Sequence, residues 1–233
     1  MKYFIIIVVC FLFTPSFSQE SNSLDDTILD NKYREDQFYF SITYNLLTSR
    51  PQDITQSGFS TGFHLGFIRD MPINQRRNFA IGLGLGLSSN SYNQDMSILR
   101  NEERAIVYSD IDDTNINVTK NKFTTYLVEF PLELRWRTST SKDYAFWRIY
   151  AGFKLGYLLY NSTKYKSENG DLKLSNLDDF DNFQYGLTMS IGYDTWNFHA
   201  YYGLNPIFNN SARFGGDSIE MRSFKLGLMF YIL

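Results

Sequence analysis

The sequence predicts an all-β fold: one eight-stranded antiparallel up-and-down barrel that crosses a membrane. Three observations predict it. Eight segments alternate between apolar residues and small or polar ones, the connections between them alternate between short and long, and the three tryptophans sit beside short connections. No window contains the run of about 18 apolar residues that a spanning helix requires. A closed barrel, with every backbone group paired between strands, is then the way such a chain could cross lipid.

The first segment, 37–47, places Phe38, Phe40, Ile42, Tyr44 and Leu46 on one face. The second, 58–68, sets Phe59, Thr61, Phe63, Leu65 and Phe67 against Gly58, Ser60, Gly62, His64 and Gly66. The third, "NFAIGLGLGL" (78–87), sets Phe79, Ile81, Leu83, Leu85 and Leu87 against Ala80, Gly82, Gly84 and Gly86. Glycine costs backbone entropy in a strand, so its repetition needs a reason. A cramped interior supplies one.

The fourth segment, 123–137, presents Tyr126, Val128, Phe130, Leu132, Leu134 and Trp136 on one face and Glu129, Glu133, Arg135 and Arg137 on the other. The fifth, 146–160, sets Ile149, Ala151, Phe153, Leu155 and Tyr157 against Arg148, Tyr150, Gly152, Lys154 and Gly156. Segments 182–193, 196–205 and 222–233 complete an even set of the length an outer-membrane strand needs. A soluble barrel of the lipocalin type would carry scattered charge on its outer face. In the second, third and sixth segments the minor face, His64 apart, is Gly, Ser, Ala, Thr, Asn and Gln, which suits a narrow lumen better than a wet surface.

The connections 69–77, 138–143 and 194–195 are short, whereas 48–57, 93–121, 161–181 and 206–221 are longer. Outer-membrane barrels show this alternation, with short turns on the periplasmic side and long loops outside. Trp136, Trp147 and Trp196 lie beside short turns in the apolar register, where an inner-side lipid-interface girdle belongs.

The start of the chain reads as an export signal over 1–18: Lys2, an apolar run to Phe13, Pro15, and small residues ending at Ser18. Residues 19–36 form a polar, acidic lead-in on the periplasmic side, and 37–233 the barrel domain. Cys10 is the only cysteine and lies inside the signal, so the exported part has no thiol with which to make a disulfide or bind a metal. The mild net charge of −3 excludes a basic nucleic-acid binder.

The inner face of the fourth and fifth segments carries the most specific feature, a charge network of Glu129, Glu133, Arg135, Arg148 and Lys154. A turn at 138–143 pairing Arg137 with Tyr144 would set Glu133 opposite Arg148 and Glu129 diagonal to Lys154. Charges in a low-dielectric wall must be paired. Eight strands leave an interior just wide enough for side chains, which favours a salt-bridged plug over an ion-lined conduit.

His64 and His199, the only histidines, fall in the lumen register, where a packed histidine is favoured over a catalytic one. The acidic stretches 110–115 and 167–172 lack the full calcium-loop pattern and read as solvated loops. The glycines of the third segment do not precede a helix and form no dinucleotide fingerprint. No catalytic, cofactor-binding or metal site is expected.

The signal ending Ser18-Gln19, the strand "YLVEFPLELRWR" (126–137) with its Glu129-Phe130-Pro131 step, and "YAGFKLGYLL" (150–159) together resemble the PorT-like family of small outer-membrane β-barrel proteins. The resemblance covers most of the exported chain. The chain departs from the usual final aromatic, since it ends "FYIL" with Tyr231 third from last. The resemblance implies an outer-membrane barrel of a Gram-negative cell envelope, in a family where some members are associated with protein secretion or gliding machinery. It carries over no catalytic residues.

The expected role is therefore non-enzymatic, a structural or binding barrel with a filled lumen. The expected partners are outer-membrane lipid and a protein of the envelope or secretion machinery. A narrow porin-like channel and a lipid-modifying enzyme are the alternatives.

Overall fold

A computed structural model of the chain describes residues 36–56, 58–111, 116–138 and 146–232. The export signal and most of the lead-in lie outside the described residues.

Eight long strands close into a ring. They are β1 (Gln37–Thr48), β2 (Thr61–Pro72), β3 (Phe79–Asn93), β6 (Val118–Arg137), β7 (Trp147–Ser167), β9 (Phe183–Tyr193), β10 (Trp196–Gly203) and β13 (Arg222–Ile232). Around the ring the order is β6-β3-β2-β1-β13-β10-β9-β7, and β7 pairs back onto β6. All eight pairings are antiparallel. Closure leaves no edge in the ring, which removes the unpaired backbone groups that lipid would not tolerate.

The period of two decides the facing. In β3, Phe79, Ile81, Leu83, Leu85 and Leu87 are exposed, while Ala80, Gly82 and Gly86 are buried. On β10, Phe198 is 72% exposed between buried Asn197 and His199. The barrel is apolar outside and polar inside, the inverse of a soluble barrel, and that pattern requires a lipid surround.

The repeated glycines are explained by what lies against them. A Cβ on Gly82 would come within 2.8 Å of Arg135 Cδ and 2.9 Å of Ile68 Cγ2. On Gly84 it would meet Ile68 Cγ1 at 2.7 Å and Pro131 Cγ at 2.9 Å. The bare stripe of β3 makes room for large side chains from the two strands paired with it, β2 and β6.

Three expectations are corrected. The turn between β6 and β7 does not pair Arg137 with Tyr144: Arg137 lies opposite Arg148, and the Thr138 N–H donates to the Trp147 carbonyl at 3.0 Å. The register therefore differs by four residues, an even number, so facing is preserved while the pairs change. The second segment begins at Thr61 and runs on to Pro72, which brings Arg69 and Asp70 into a strand instead of a turn. Finally, 118–121 and 161–167 are not loop. They extend β6 and β7 as a paired ribbon beyond the ring, joined by β8 (Gly170–Ser175).

The long loops also build structure of their own. They contain the hairpin of β4 (Met96–Arg100) and β5 (Ile106–Asp110), and that of β11 (Arg213–Phe214) and β12 (Asp217–Ser218). Ile54, Met96, Ile98, Tyr108, Phe180, Ile207, Phe208, Ile219 and Met221 leave the loops to pack with Tyr92, Phe123, Leu127 and Leu158 of the barrel. Phe123 and Phe208 lie 5.4 Å apart, Phe180 and Phe208 4.6 Å apart, and Phe123 stacks on Tyr92 at 4.9 Å. An apolar cap thus covers the long-loop end of the lumen.

Candidate functional site

The lumen is the candidate site because alternation delivers Asp70, Glu129, Glu133, Arg135, Arg137, Arg148, Lys154 and Lys225 to it, all of them buried, whereas Arg69 faces out. At the short-turn end, Asp70 of β2 holds two arginines of β6. Both Arg137 Nη atoms donate to the two Asp70 oxygens at 2.8 Å, and Arg135 Nη1 donates to Oδ1 at 3.0 Å. Arg135 Nη2 also donates to Gln37 Oε1 at 2.6 Å, and its Nε lies 3.3 Å from Glu133 Oε2. The Arg135 guanidinium lies over the Tyr150 ring, 4.2 Å from its centre. Asp36, the last residue of the lead-in, accepts the Asp70 backbone N–H at 2.8 Å.

A second group lies further along the lumen. Glu129 Oε2 is 3.1 Å from Lys154 Nζ, and Glu129 Oε1 is 3.0 Å from His64 Nδ1. The other His64 nitrogen is 3.3 Å from the Thr43 hydroxyl, which donates to Asn45 Oδ1 at 2.8 Å. His199 Nδ1 lies 2.8 Å from the Ser190 hydroxyl. The Lys225 ammonium lies 4.8 Å from the centre of the Tyr201 ring.

The lumen cations buried among the described residues are Arg135, Arg137, Arg148, Lys154 and Lys225, facing the carboxylates of Asp70, Glu129 and Glu133. The excess cations use carbonyls and aromatic faces. Arg148 Nη1 donates to the Asp194 carbonyl at 2.6 Å, with its guanidinium 4.3 Å from the centre of the Phe146 ring. Buried charges held by several partners at once are a rigid filling, costly to break singly.

The expected pairing of Glu133 with Arg148 is not made. Glu133 stands opposite Gly152 and turns to Arg135 on its own strand, while Arg148 is drawn to the turn carbonyl of Asp194. Glu129 and Lys154 do meet, diagonally, with Gly156 opposite Glu129. Sequence reading passed over Asp70, Gln37 and Lys225. The signal was present: Ile68 and Asp70 continue the lumen parity of His64, and Lys225 lies between Ser223 and Gly227 on the lumen face of β13. Tyr231 likewise faces inward, and Ile232 outward.

Trp136, Trp147 and Trp196 all face outward near the short turns. Trp147 lies 5.5 Å from Tyr193, and Trp196 lies 5.2 Å from Phe230. Of the acidic stretches, 112–115 lies outside the described residues, and Asp171 pairs with Lys166 at 2.6 Å. No group of three or more metal-binding side chains occurs among the described residues.

A closed eight-stranded barrel with an apolar exterior and an ion-paired interior is the architecture of an integral outer-membrane protein. The chain belongs to the outer membrane protein beta-barrel domain family, whose match covers residues 17–209, and the outer membrane is its location. No curated protein sequence matches it. Among solved structures it is similar to the attachment invasion locus protein Ail of Yersinia pestis, at 11% identity and a TM-score of 0.34, covering 84% of this chain and 97% of that one. Ail in complex with the heparin analogue sucrose octasulfate gives 12% identity and a TM-score of 0.35, over 85% and 99% of the two chains. A mutant porin of Rh. blastica gives 9% and 0.19, over 86% and 99%. Likenesses this distant do not bear on function.

Proposed function

We propose that the protein is a non-enzymatic structural or binding barrel, of PorT-like affinity, whose loops or periplasmic turns contact a protein of the envelope, with the secretion or gliding machinery as the favoured partner. Residues 1–18 direct export and are removed, 19–36 remain as a periplasmic lead-in, and the barrel begins at 37. The three tryptophans anchor the inner lipid interface.

The observation that supports this reading is the filled lumen. The Asp70–Arg135–Arg137 and Glu129–Lys154–His64 groups occupy its width at two levels, and the apolar cap lies over its long-loop end. Among the described residues paired side chains fill the lumen, which favours a plug over a channel, and its histidines are held by carboxylate and hydroxyl neighbours away from solvent. The protein's exposed surfaces then carry its role.

Liposome swelling with the purified protein tests the reading directly. The expected result is no sugar uptake above protein-free vesicles, together with a co-purifying envelope protein after cross-linking in intact cells. Swelling at a rate set by solute size would replace the plug with a narrow channel.

A further inference from the structure

Above the ring, β6, β7 and β8 form a three-stranded ribbon whose outer face is strongly basic. Lys122 of β6 stands directly opposite Lys164 of β7, and Lys164 opposite Lys173 of β8. One step further out, Lys120 stands opposite Lys166, and Lys166 opposite Asp171. Like charges placed directly across strands oppose folding, so a row of three lysines is unfavourable unless an anion joins it. Among the described residues the compensation on this face is small. Asp171 takes Lys166 at 2.6 Å, Glu168 at the ribbon tip accepts the Asn117 N–H at 3.3 Å, and Lys122 Nζ donates only to the Ser91 hydroxyl at 3.2 Å.

The position of this face bears on what that anion is. Below the lysines on the same face comes a row of hydroxyls, each opposite the next: Ser91, Ser162 and Ser175 are open to solvent at least in part, and Thr124 is buried between Ser91 and Ser162. Below those, Tyr126 and Tyr160 meet with ring centres 5.7 Å apart, and the lipid-facing Val128, Phe130 and Tyr157 follow. The order from mid-membrane outward is aliphatic, aromatic, hydroxyl, ammonium. Four residues separate Tyr126 from Lys122, about 13 Å along a strand, or about 10 Å of height at the tilt of such barrels. That reaches the outer edge of the headgroup layer, and lysine stems can bend back toward it.

We propose that the row of Lys122, Lys164 and Lys173, with Lys120 and Lys166 behind it, docks the phosphate groups of a phosphorylated glycolipid in the leaflet at the long-loop side, while the hydroxyl row receives its sugar and the aromatic pair borders its acyl chains. The anion removes the repulsion that the three strands otherwise carry. The proposal concerns lipid and is read on lipid alone, so its failure leaves the protein-partner role untouched.

The test is native mass spectrometry of the refolded full chain titrated with diphosphorylated lipid A, with dephosphorylated lipid A, and with inorganic phosphate as competitor. Each lysine near an anionic surface contributes about fivefold in affinity, so the triple variant K122Q/K164Q/K173Q should bind diphosphorylated lipid A about a hundredfold more weakly. The parent should bind dephosphorylated lipid A as weakly as the variant binds the phosphorylated form. The triple arginine variant should restore binding, and inorganic phosphate should not displace the lipid. Heat-modifiable gel mobility reports whether each variant is folded. On the parent alone, added salt should weaken retention, because exposed charges are screened. Undiminished binding by the glutamine variant, equal binding of dephosphorylated lipid A, displacement by free phosphate, or salt-independent retention would each overturn the proposal.

Discussion

Arg137 and Asp70, 67 residues apart in the chain, meet through two parallel hydrogen bonds of 2.8 Å, with both side chains fully buried. The fork of the guanidinium matches the two carboxylate oxygens, the strongest geometry open to such a pair. It ties β6 to β2 across β3, and the same carboxylate holds Arg135. Asp70→Ala should therefore cost about 3–5 kcal/mol, because it strands two buried cations. Urea unfolding in detergent micelles measures it, and a loss near zero would mean that water reaches the short-turn end.

Coupling inside the lumen should follow the observed contacts. A double-mutant cycle on Glu129 and Lys154, 3.1 Å apart, should give an interaction of about 0.5–3 kcal/mol. The same cycle on Glu133 and Arg148 should give less, since each is held by other groups, Arg135 and the Asp194 carbonyl. The reverse ranking would restore a register in which Glu133 faces Arg148.

That contrast marks how far the fold could be read from the sequence. Facing is legible because alternation repeats along each strand: Leu83 out, Gly84 in, and so on through all eight. Register is not, because it depends on where pairing stops in the connection after Arg137, and residues with polar side chains fit a turn or a strand end equally. Asp70 escaped notice for a related reason, since it lies past the apolar run of β2 in a stretch that resembles a turn. The cap was illegible because its members, from Ile54 to Met221, come from separate loops and share no period. The lysine ribbon is hidden too, because Lys120, Lys164 and Lys166 read as polar loop until β6 and β7 are seen to pair beyond the ring.

Opposite faces of β3 should respond to opposite changes. Leu83→Arg places a charge on the lipid face near mid-membrane, at a cost of about 2–4 kcal/mol. Gly84→Leu instead drives atoms into Ile68, Pro131 and the Phe67 carbonyl, and overpacking of this kind costs about 1–3 kcal/mol. Folding into bilayers, followed by gel mobility without heating, compares the two. If Leu83→Arg inserted as well as the parent, the lipid-facing assignment of β3 would fail.

The apolar cap should be sensitive to alkali through one tyrosine. Tyr108 of β5 is buried in the cap, donates its hydroxyl to Asp179 Oδ2 at 2.7 Å, and meets the Phe208 ring edge-on at 5.9 Å. Burial first, and then the Asp179 bond and charge, hold its ionisation well above the ordinary value. A group whose ionisation is raised by folding stabilises the fold fully below its unfolded value, about 10 for tyrosine, and loses that contribution as pH rises past it. The cap should therefore be stable through neutral pH and weaken progressively only above about pH 10. Ultraviolet titration of the parent against Tyr108→Phe isolates this one hydroxyl. Its tyrosinate signal should come later than that of the exposed tyrosines and coincide with loss of the near-ultraviolet circular dichroism of the packed rings. Ionisation in step with the exposed tyrosines, with the ring signal intact, would mean that Tyr108 is solvated and that the cap does not close over it.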